Sequence, residues 1–329
     1  ADGSPYPAED CPLVAARRTR SFARIDDGVL VCRGGTLLPV RQVQSPFETE
    51  DGVGGFVVVF SDISERKRQE HDAQRKLHDL AWIERIRDAL EQDRFVLYAQ
   101  PIVEIGSGGT VQHELLIRMI DHDGASIPPS LFLPVAESYG SIGEIDRWVT
   151  RQTMKLAAAG HAVEMNVSAD SLSDPSFYDY VESELRRSGA DPSLLVFELT
   201  ETALVQDQAA TENFALRIHG LGCKLALDDF GTGYGGFTYL KRLSLDFIKI
   251  DIEFVRDLAT NPASRHVVEA VVALASGFGL QTVAEGVEDA RTLEMLREYG
   301  VDYAQGYHVG RPIPLEQTFG SETSAAPLS

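Results

Sequence analysis

Eight apolar runs, spread from Phe95 to Val309, dominate the hydrophobic pattern of the chain. Each run is long enough for one β-strand, and nearly all of them close on a carboxylate, an amide or a lysine. Amphipathic segments lie between most of the runs, and several end on the glycine that commonly follows a helix. Strands and helices therefore alternate, which predicts a parallel sheet covered on both faces. Eight such units can close into an α/β barrel of the TIM type, (β/α)8.

The polar residues that follow the apolar runs are predicted to share one end of this barrel. Parallel strands finish at the same edge, and in such barrels the carboxyl ends of the strands carry the chemistry. Ten residues belong to this set: Glu114, Asn166, Glu198, Glu201, Asp228, Asp229, Lys249, Asp251, Glu285 and Gln305.

Two of them, Asp228 and Asp229, are adjacent and stand between the apolar run KLAL and the glycine-rich stretch GTGYGG. Strict alternation along a strand cannot turn both side chains into the barrel, so one must bend around the rim. Two carboxylates held so close favour a shared cation. The alternative is that one caps the next helix and the other is solvated. The glycines, which can bring backbone close to a ligand, favour the cation.

The candidate ligands offer only oxygen atoms. Glu114, Asn166 and Glu198 join the aspartate pair, and such a set fits Mg²⁺ or Mn²⁺ better than zinc. None of the eight histidines stands at ligand spacing, which argues against a zinc hydrolase.

Two basic residues are candidates for handling water and phosphate. Lys249 and Asp251 are two residues apart in FIKID and are predicted to project to the same side of their strand. They form either a buried ion pair or a pair in which the ammonium holds a metal-bound water. Arg118, four residues past Glu114, is a candidate phosphate clamp, with a surface ion pair as its alternative.

The formal charge of -20 argues against binding to polymeric nucleic acid, which requires a basic surface. A small anionic substrate is compatible with this charge if divalent cations neutralise the pocket. The chain has no apolar run of about 18 residues and no signal peptide, which predicts no membrane segment. Its three cysteines lack metal-ligand spacing and favour a reducing cytoplasm.

Four regions are predicted along the chain. Residues 1–64 contain short β-like runs with turns between them and predict a small antiparallel sheet. Residues 65–92 predict one long amphipathic helix, which either forms a dimeric coiled coil or packs on the barrel. The barrel occupies residues 93–320, and residues 321–329 are predicted to be a disordered tail.

Eight short motifs, in order and spacing, resemble those of the EAL family of cyclic-di-GMP phosphodiesterases. They are QPIV (100–103), ELLIR (114–118), NVS (166–168), ELTE (198–201), DDFGTGY (228–234), KID (249–251), AEGVE (284–288) and AQGYHVGRP (304–312). The resemblance implies a modified TIM barrel that hydrolyses cyclic di-GMP to linear pGpG with two divalent metals, Mg²⁺ or Mn²⁺. It also implies a homodimer.

The resemblance further implies a role for each matching residue. The predicted metal ligands are Glu114, Asn166, Glu198, Asp228, Asp229, Asp251 and Glu285. Lys249 is similar to the lysine that holds the attacking water, and the predicted catalytic set is Glu114, Lys249, Glu285 and Gln305. The predicted substrate contacts are Gln100, Leu116, Arg118 and Asp251. Glu201 resembles a glutamate that anchors the loop of Gly231, Thr232 and Gly233.

Two positions depart from the family pattern: Leu115 replaces the alanine of the name motif, and Gly235 replaces a usual serine. Strand alternation predicts that Leu115 points away from the pocket, so altered packing is expected rather than lost chemistry. Gly235 is expected to loosen a loop that affects rate and regulation.

Upstream of the barrel, residues 34–68 resemble the closing strands of a PAS sensor domain and its exit helix. The match covers only the later half of such a domain. The resemblance implies regulation of the barrel by this region. Two other classes of function are compatible with a barrel of this kind, namely a non-catalytic cyclic-di-GMP receptor and a partner-docking scaffold.

Overall fold

In the computed structural model, residues 12–49, 52–231 and 240–320 are described. They divide into two compact units, with the boundary between Ala81 and Trp82. The tail predicted for residues 321–329 lies outside the described residues. Thr232, Gly233 and Gly235 also lie outside them. Within the three described ranges, none of the helices is both long enough and apolar enough to cross a bilayer.

The first unit is built on a three-stranded antiparallel sheet in the order β1-β2-β3. Its first helix is α1 (Pro12–Thr19), and its strands are β1 (Ala23–Val31), β2 (Leu37–Thr49) and β3 (Gly52–Asp62). Strand β2 pairs with β3 from Val40 opposite Asp62 onward. Several valine and phenylalanine side chains of this sheet are exposed, among them Val31, Val57, Val59 and Phe60.

A 28-residue helix, α2 (Ser64–Glu91), follows the sheet. The Asp62 carboxylate accepts a hydrogen bond from the Ser64 backbone N–H at 2.8 Å, which satisfies one donor at the helix start. Trp82, Ile86 and Ala89, in its last third, are buried in the core of the second unit.

Eight strands close the barrel of the second unit, which confirms the predicted TIM-type fold. They are β4 (Phe95–Glu104), β5 (Thr110–Ile120), β7 (Val163–Asn166), β8 (Leu195–Thr200), β9 (Lys224–Phe230), β10 (Phe247–Ile250), β11 (Gln281–Ala284) and β12 (Tyr303–Ala304). Two short strands extend the sheet beside them, β6 (Ser126–Ile127) on β5 and β13 (Ile313–Pro314) on β4.

Strand β4 differs from the parallel arrangement that the sequence predicts. It pairs antiparallel with β5 on one side and with β12 on the other, whereas the strands from β5 to β12 that form the rest of the ring are parallel. The cause is the short connection between β4 and β5, residues 105–109. A parallel crossover needs about a dozen residues or more, so this link can only form a hairpin.

Helices cover the outside of the barrel. They are α3 (Leu133–Ser138), α4 (Ile142–Ala158), α5 (Ala169–Ser173), α6 (Pro175–Ser188), α7 (Glu201–Gln206), α8 (Gln208–Gly220), α9 (Ile252–Arg256), α10 (Pro262–Phe278), α11 (Ala290–Tyr299) and α12 (Leu315–Phe319). Two 3-10 turns are also present, Pro129–Leu131 and Pro192–Leu194. As the sequence predicts, α6, α10 and α11 end on left-handed glycines, Gly189, Gly279 and Gly300.

The barrel separates two hydrophobic clusters. The larger lies between strands and helices and includes Phe132, Phe177 and Phe197. The smaller, which we call the inner apolar layer, contains Ile102, Val196, Ala226, Phe247 and Val283. Four of its five members stand two residues before Glu198, Asp228, Lys249 and Glu285 respectively. Since side chains two residues apart on a strand share a face, this layer lies directly beneath those polar residues.

Candidate active site

A fully buried lysine lies at the centre of the acidic side chains. Lys249, on β10, places its Nζ atom 2.6 Å from Glu198 Oε1 and 2.7 Å from Glu285 Oε1. Glu114 Oε2 lies 3.6 Å from the same nitrogen. The strands β5, β8, β10 and β11 thus direct their polar residues into one group, as expected when parallel strands end at a common mouth.

Side-chain amides surround the Glu114 carboxylate. Asn166 Nδ2 donates to its Oε1 atom at 2.9 Å, and Gln305 Nε2 donates to its Oε2 atom at 2.5 Å. Gln305 Nε2 also lies 3.2 Å from Gln100 Oε1, and Gln100 Nε2 donates to the Gly310 carbonyl at 3.1 Å. The antiparallel pairing of β4 with β5 sets Gln100 directly opposite Glu114. Both carboxylate oxygens of Glu114 therefore have fixed directions.

An extra residue in β9 explains how two adjacent aspartates reach the mouth. Leu227 pairs with Ile248 and Phe230 with Ile250, so three steps on β9 match two on β10. This is a β-bulge, and within it Asp229 has a left-handed backbone with φ of 55°. The irregularity breaks strict alternation, and burial, Asp228 and Asp251 together raise the pKa of Asp229.

A glycine next to Glu285 allows a close approach of two segments. Gly286 has φ of 64°, in the left-handed region that favours glycine. A Cβ atom there would lie 2.1 Å from the Ile252 side chain, so any other residue would force α9 away. This packing holds the backbone beside Glu285 where its carboxylate can reach Lys249.

Burial and repulsion between neighbouring charges raise the pKa values of Glu198, Asp229 and Glu285. Burial raises the pKa of Glu198 well above its usual range, against the opposing attraction of Lys249. The pKa of Glu285 rises to about 7 and that of Asp229 to about 6, in both cases chiefly through burial. Burial alone would lower the pKa of Lys249, but Glu114, Glu198 and Glu285 together raise it well above its usual value.

The carboxylate oxygens of this acidic centre fit a hard divalent cation. Glu198, Asp228 and Glu285 each offer a carboxylate oxygen, and these three atoms lie within 4.8 Å of one another. Within the described ranges, Glu198 Oε2, Asp228 Oδ1 and Gln305 Oε1 are buried without a hydrogen-bond partner. Buried acceptors of this kind are costly unless a proton or a cation satisfies them. Oxygen ligands of this kind suit hard divalent cations.

Comparison with known proteins identifies the family. Residues 83–312 match the family model described as the EAL domain. The chain belongs to the EAL-domain family. Its EAL domain therefore covers the whole ring of barrel strands, from β4 to β12.

Curated relatives carry names that refer to one nucleotide. Cyclic di-GMP phosphodiesterase PdeF of Escherichia coli strain K12 is 35% identical over 252 residues, 74% of this chain and 34% of PdeF. Cyclic di-GMP phosphodiesterase NbdA of Pseudomonas aeruginosa is 36% identical over 248 residues, 73% of this chain and 32% of NbdA. The chain thus spans about a third of the length of these two relatives.

Solved structures of EAL domains share the fold. The PaMucR phosphodiesterase in complex with c-di-GMP has 34% sequence identity and a TM-score of 0.69, over 73% of this chain and 100% of that one. The FimX EAL domain from Pseudomonas aeruginosa bound to c-di-GMP has 29% identity and a TM-score of 0.67, over 70% of this chain and 96% of that one.

Other predicted site residues of the EAL domain lie around this centre. Leu116 and Arg118 share the face of β5 that carries Glu114 and lie further toward the strand end. The Arg118 guanidinium donates to the Ile117 carbonyl at 2.8 Å and lies 5.2 Å from the centre of the Tyr98 ring. Asp251 follows β10 and caps α9, where it accepts a hydrogen bond from a backbone N–H at 2.6 Å.

The loop after β9 is described only at its start. Gly231 has φ of 106°, and a Cβ atom there would lie 3.1 Å from the Phe254 ring. Glu201 is buried at the first position of α7. Because Thr232 and Gly233 are outside the described residues, the anchoring of this loop by Glu201 stays a prediction.

The structure defines the position of Leu115, which replaces the alanine of the family motif. Its side chain is buried in the larger hydrophobic cluster, outside the barrel, and pairs across strands with Ala99 and Met165. The side chain points away from the acidic centre, as strand alternation predicts, and its effect is on packing.

Sequence reasoning missed two polar residues of the barrel interior, Gln112 and Glu164. Both are buried, and Gln112 Nε2 donates to Glu164 Oε2 at 2.8 Å. They lie within strands β5 and β7, before the polar residues that were chosen as strand ends, so that choice did not include them. The available signal was spacing, since each stands two residues before a predicted ligand, Glu114 and Asn166 respectively.

The metal-free protein is expected to lose stability as the pH rises from about 5 to about 8. The pKa values of Asp229, Glu164 and Glu285 rise to about 6, 7 and 7 in the folded protein, from 3.8, 4.5 and 4.5. Between about pH 5 and pH 8 the folded state binds more protons than the unfolded state, so the protein loses stability as these protons dissociate. We expect the melting temperature to fall by about 5 °C across this range.

Thermal melts in buffers without divalent ions measure this effect. Added Mn²⁺ should flatten the pH dependence, because a bound cation compensates the ionised carboxylates. A melting temperature that rises with pH in the metal-free protein contradicts the prediction.

Proposed function

We propose that this chain hydrolyses cyclic di-GMP to linear 5′-pGpG with two divalent metal ions. One observation carries the proposal: acids from several strands surround Lys249, and three carboxylate oxygens lie within 4.8 Å of one another. We infer the substrate from the names of PdeF and NbdA and from the structure of PaMucR in complex with c-di-GMP. Because the chain covers only about a third of the length of these curated relatives, the activity of a whole protein belongs to this proposal as well.

The proposed ligands are Glu114, Asn166, Glu198, Asp228, Asp229, Asp251 and Glu285. When bound, Mg²⁺ or Mn²⁺ polarises the phosphoryl oxygens and lowers the pKa of a bound water. The acids fix the directions in which their oxygens point, and the amides of Asn166 and Gln305 hold the Glu114 carboxylate still. Such preorganisation supplies most of the acceleration in phosphoryl transfer.

Lys249 orients the attacking water in this mechanism. Its buried ammonium is a hydrogen-bond donor in the middle of the acids, where it can hold a water in line with the scissile P–O3′ bond. Attack on phosphorus breaks that bond and leaves a 5′-phosphate and a 3′-hydroxyl. Arg118, Gln100 and Leu116 bind the dinucleotide at the mouth, where the guanidinium neutralises a phosphate.

The first unit regulates the barrel in this proposal. Its antiparallel sheet resembles the closing strands of a PAS domain, and α2 runs from it into the EAL domain. We further propose a homodimer. A relative from Azorhizobium caulinodans is 32% identical, and its similarity covers 90% of this chain and so reaches into the first unit.

One assay tests the proposed reaction. The full chain is incubated with cyclic di-GMP and Mg²⁺ or Mn²⁺, and the products are separated by chromatography. We expect linear pGpG to form, and we expect a chelator to stop its formation. Binding of cyclic di-GMP without cleavage, measured by calorimetry in the same buffer, would instead support a receptor of this nucleotide. Absence of both metal and nucleotide binding would support a docking scaffold.

A further inference from the structure

A buried aspartate of helix α4 holds the chain where it leaves strand β7. The Asp146 Oδ2 atom accepts two hydrogen bonds from Ser168, one from the backbone N–H at 3.1 Å and one from the hydroxyl at 2.5 Å. Helix α4 packs against β7, and Ser168 stands two residues after the last residue of that strand. These bonds therefore join an outer helix of the barrel to the segment that follows β7.

The position of Asp146 is a costly one for a carboxylate. Asp146 is 6% exposed, and the next residue, Arg147, forms its ion pair with Asp174. Burying a charge costs free energy unless other groups compensate it. Here the two donors of Ser168 do so, and hydrogen bonds to an ionised acceptor are among the stronger ones. The contact between Asp146 and Ser168 is therefore a firm anchor.

The anchored segment begins with a predicted metal ligand. Asn166 is the last residue of β7, and its Nδ2 atom donates to Glu114 Oε1 at 2.9 Å. The next residue, Val167, donates its backbone N–H to the Glu198 carbonyl at 3.0 Å. The third residue of the segment is the serine that α4 holds. Three successive residues are thus tied to three different elements, β5, β8 and α4.

The Asn166 side chain depends on this backbone for its direction. Asn166 is exposed, so packing does not hold its amide in place. Strand β7 has only four residues, and the ends of short elements open easily unless the chain beyond them is fixed. The sheet holds the backbone of Asn166 on one side, and the bonds from Ser168 to Asp146 hold it on the other.

We propose that Asp146 is a positioning residue for Asn166: by holding Ser168, it fixes the backbone from which the Asn166 amide reaches the metal centre. Groups behind a metal ligand set its direction, and their loss typically weakens metal affinity about 10- to 100-fold. Asp146 acts through a short stretch of backbone, so the lower end of this range is expected. This inference rests on the proposed metal-dependent function and adds to it a residue of an outer helix.

Calorimetric titration of the metal-free full chain with Mn²⁺ tests the inference without any turnover. Asp146→Ala is expected to weaken Mn²⁺ binding about tenfold, because both donors of Ser168 lose their acceptor. Asp146→Asn keeps a carbonyl oxygen that can accept these bonds, so its affinity should stay within about threefold of wild type. In activity assays of Asp146→Ala, the Mn²⁺ concentration for half-maximal turnover should rise about tenfold as well.

Two control variants separate positioning from general damage to the fold. Asp191 Oδ1 also accepts from the backbone N–H and the hydroxyl of one serine, Ser193, at 2.9 and 2.8 Å. That contact precedes β8, at the strand end opposite the one that carries Glu198. Thr153 is a buried residue of α4 whose hydroxyl donates to a backbone carbonyl of the same helix. Asp191→Ala and Thr153→Val should keep wild-type Mn²⁺ affinity, whatever their melting temperatures.

Ser168→Ala tests the same contact from its other side. This change removes the hydroxyl bond at 2.5 Å and leaves the backbone bond to Asp146 in place. It should weaken Mn²⁺ binding, but less than Asp146→Ala does. Beside Asp146→Ala it should have little further effect, as expected for residues in one network. If Asp146→Ala does not fold, wild-type Mn²⁺ affinity in Ser168→Ala overturns the positioning role.

The outcomes are distinguishable from failure of the proposed function. If the wild-type chain does not bind Mn²⁺, the metal-dependent function and this inference are both overturned. If the wild type binds Mn²⁺ and Asp146→Ala binds it equally well, the positioning role alone is overturned. Equal losses in Asp146→Asn and Asp146→Ala, or a loss in either control as large as in Asp146→Ala, also overturn it.

Discussion

Glu114→Ala is expected to abolish hydrolysis of cyclic di-GMP, with turnover reduced about a thousandfold or more, equivalent to roughly 4 kcal/mol of transition-state stabilisation. The change removes a proposed metal ligand and the acceptor for two amides, Asn166 Nδ2 at 2.9 Å and Gln305 Nε2 at 2.5 Å. Freed from Glu114, those amides lose their fixed direction. The effect should therefore fall on both metal affinity and the rate of the bound complex.

Turnover at saturating Mn²⁺, with pGpG quantified by chromatography, measures this loss. Glu294→Ala is the matched control, because Glu294 is an exposed acid on α11 whose partner is Arg297 on the same helix. It should keep wild-type turnover. If Glu114→Ala retains more than about a tenth of wild-type turnover, Glu114 is not a ligand of the reacting centre.

Lys249→Met is expected to remove both turnover and much of the stability of the metal-free barrel. Lys249 is completely buried, and its ammonium is the cation that faces Glu114, Glu198 and Glu285. Methionine fills a similar volume but leaves these acids without a counter-charge. Breaking a buried ion pair by removing one partner costs about 3–5 kcal/mol, which corresponds to a fall of about 10 °C in melting temperature.

Melting curves with and without Mn²⁺ separate the two roles of this lysine. Mn²⁺ should restore part of the stability of Lys249→Met, since a cation again balances the acids, but it should not restore turnover, because no ammonium holds the water. Lys155→Met, at an exposed position of α4, is the control and should match wild type in both measurements. A Lys249→Met chain with wild-type melting temperature and turnover would contradict the prediction on both counts.

The fold was predictable from the length of the apolar runs and from the polar residues at their ends. Eight strand-sized runs separated by amphipathic segments lead directly to a barrel, and polar residues at run ends lead to Glu114, Glu198 and Lys249 as neighbours. The parallel direction predicted for β4 was wrong, because an apolar run has the same pattern in either direction. The information lay in the connection, since the few residues between Glu104 and Thr110 cannot form a crossover.

Two polar residues of the barrel interior were not predicted. Gln112 and Glu164 lie within strands β5 and β7, and their burial depends on partners on other strands, which periodicity along one strand does not record. For Asp251, the sequence predicted a strand position that the structure does not show. Its spacing from Lys249 predicts a common strand face, but β10 ends at Ile250 and Asp251 instead caps the following helix.

The antiparallel strand β4 also bears on how the protein folds. Strand β4 meets β5 through a hairpin, a local contact that forms early at small entropic cost, but it meets β12 only after the intervening chain has wound around the ring. The hydrogen bond from Gln305 to Gln100 spans 205 residues. Closing the barrel and placing the Gln305 amide beside Glu114 are therefore one event, and a barrel whose seam between β4 and β12 is open has an incomplete acidic centre.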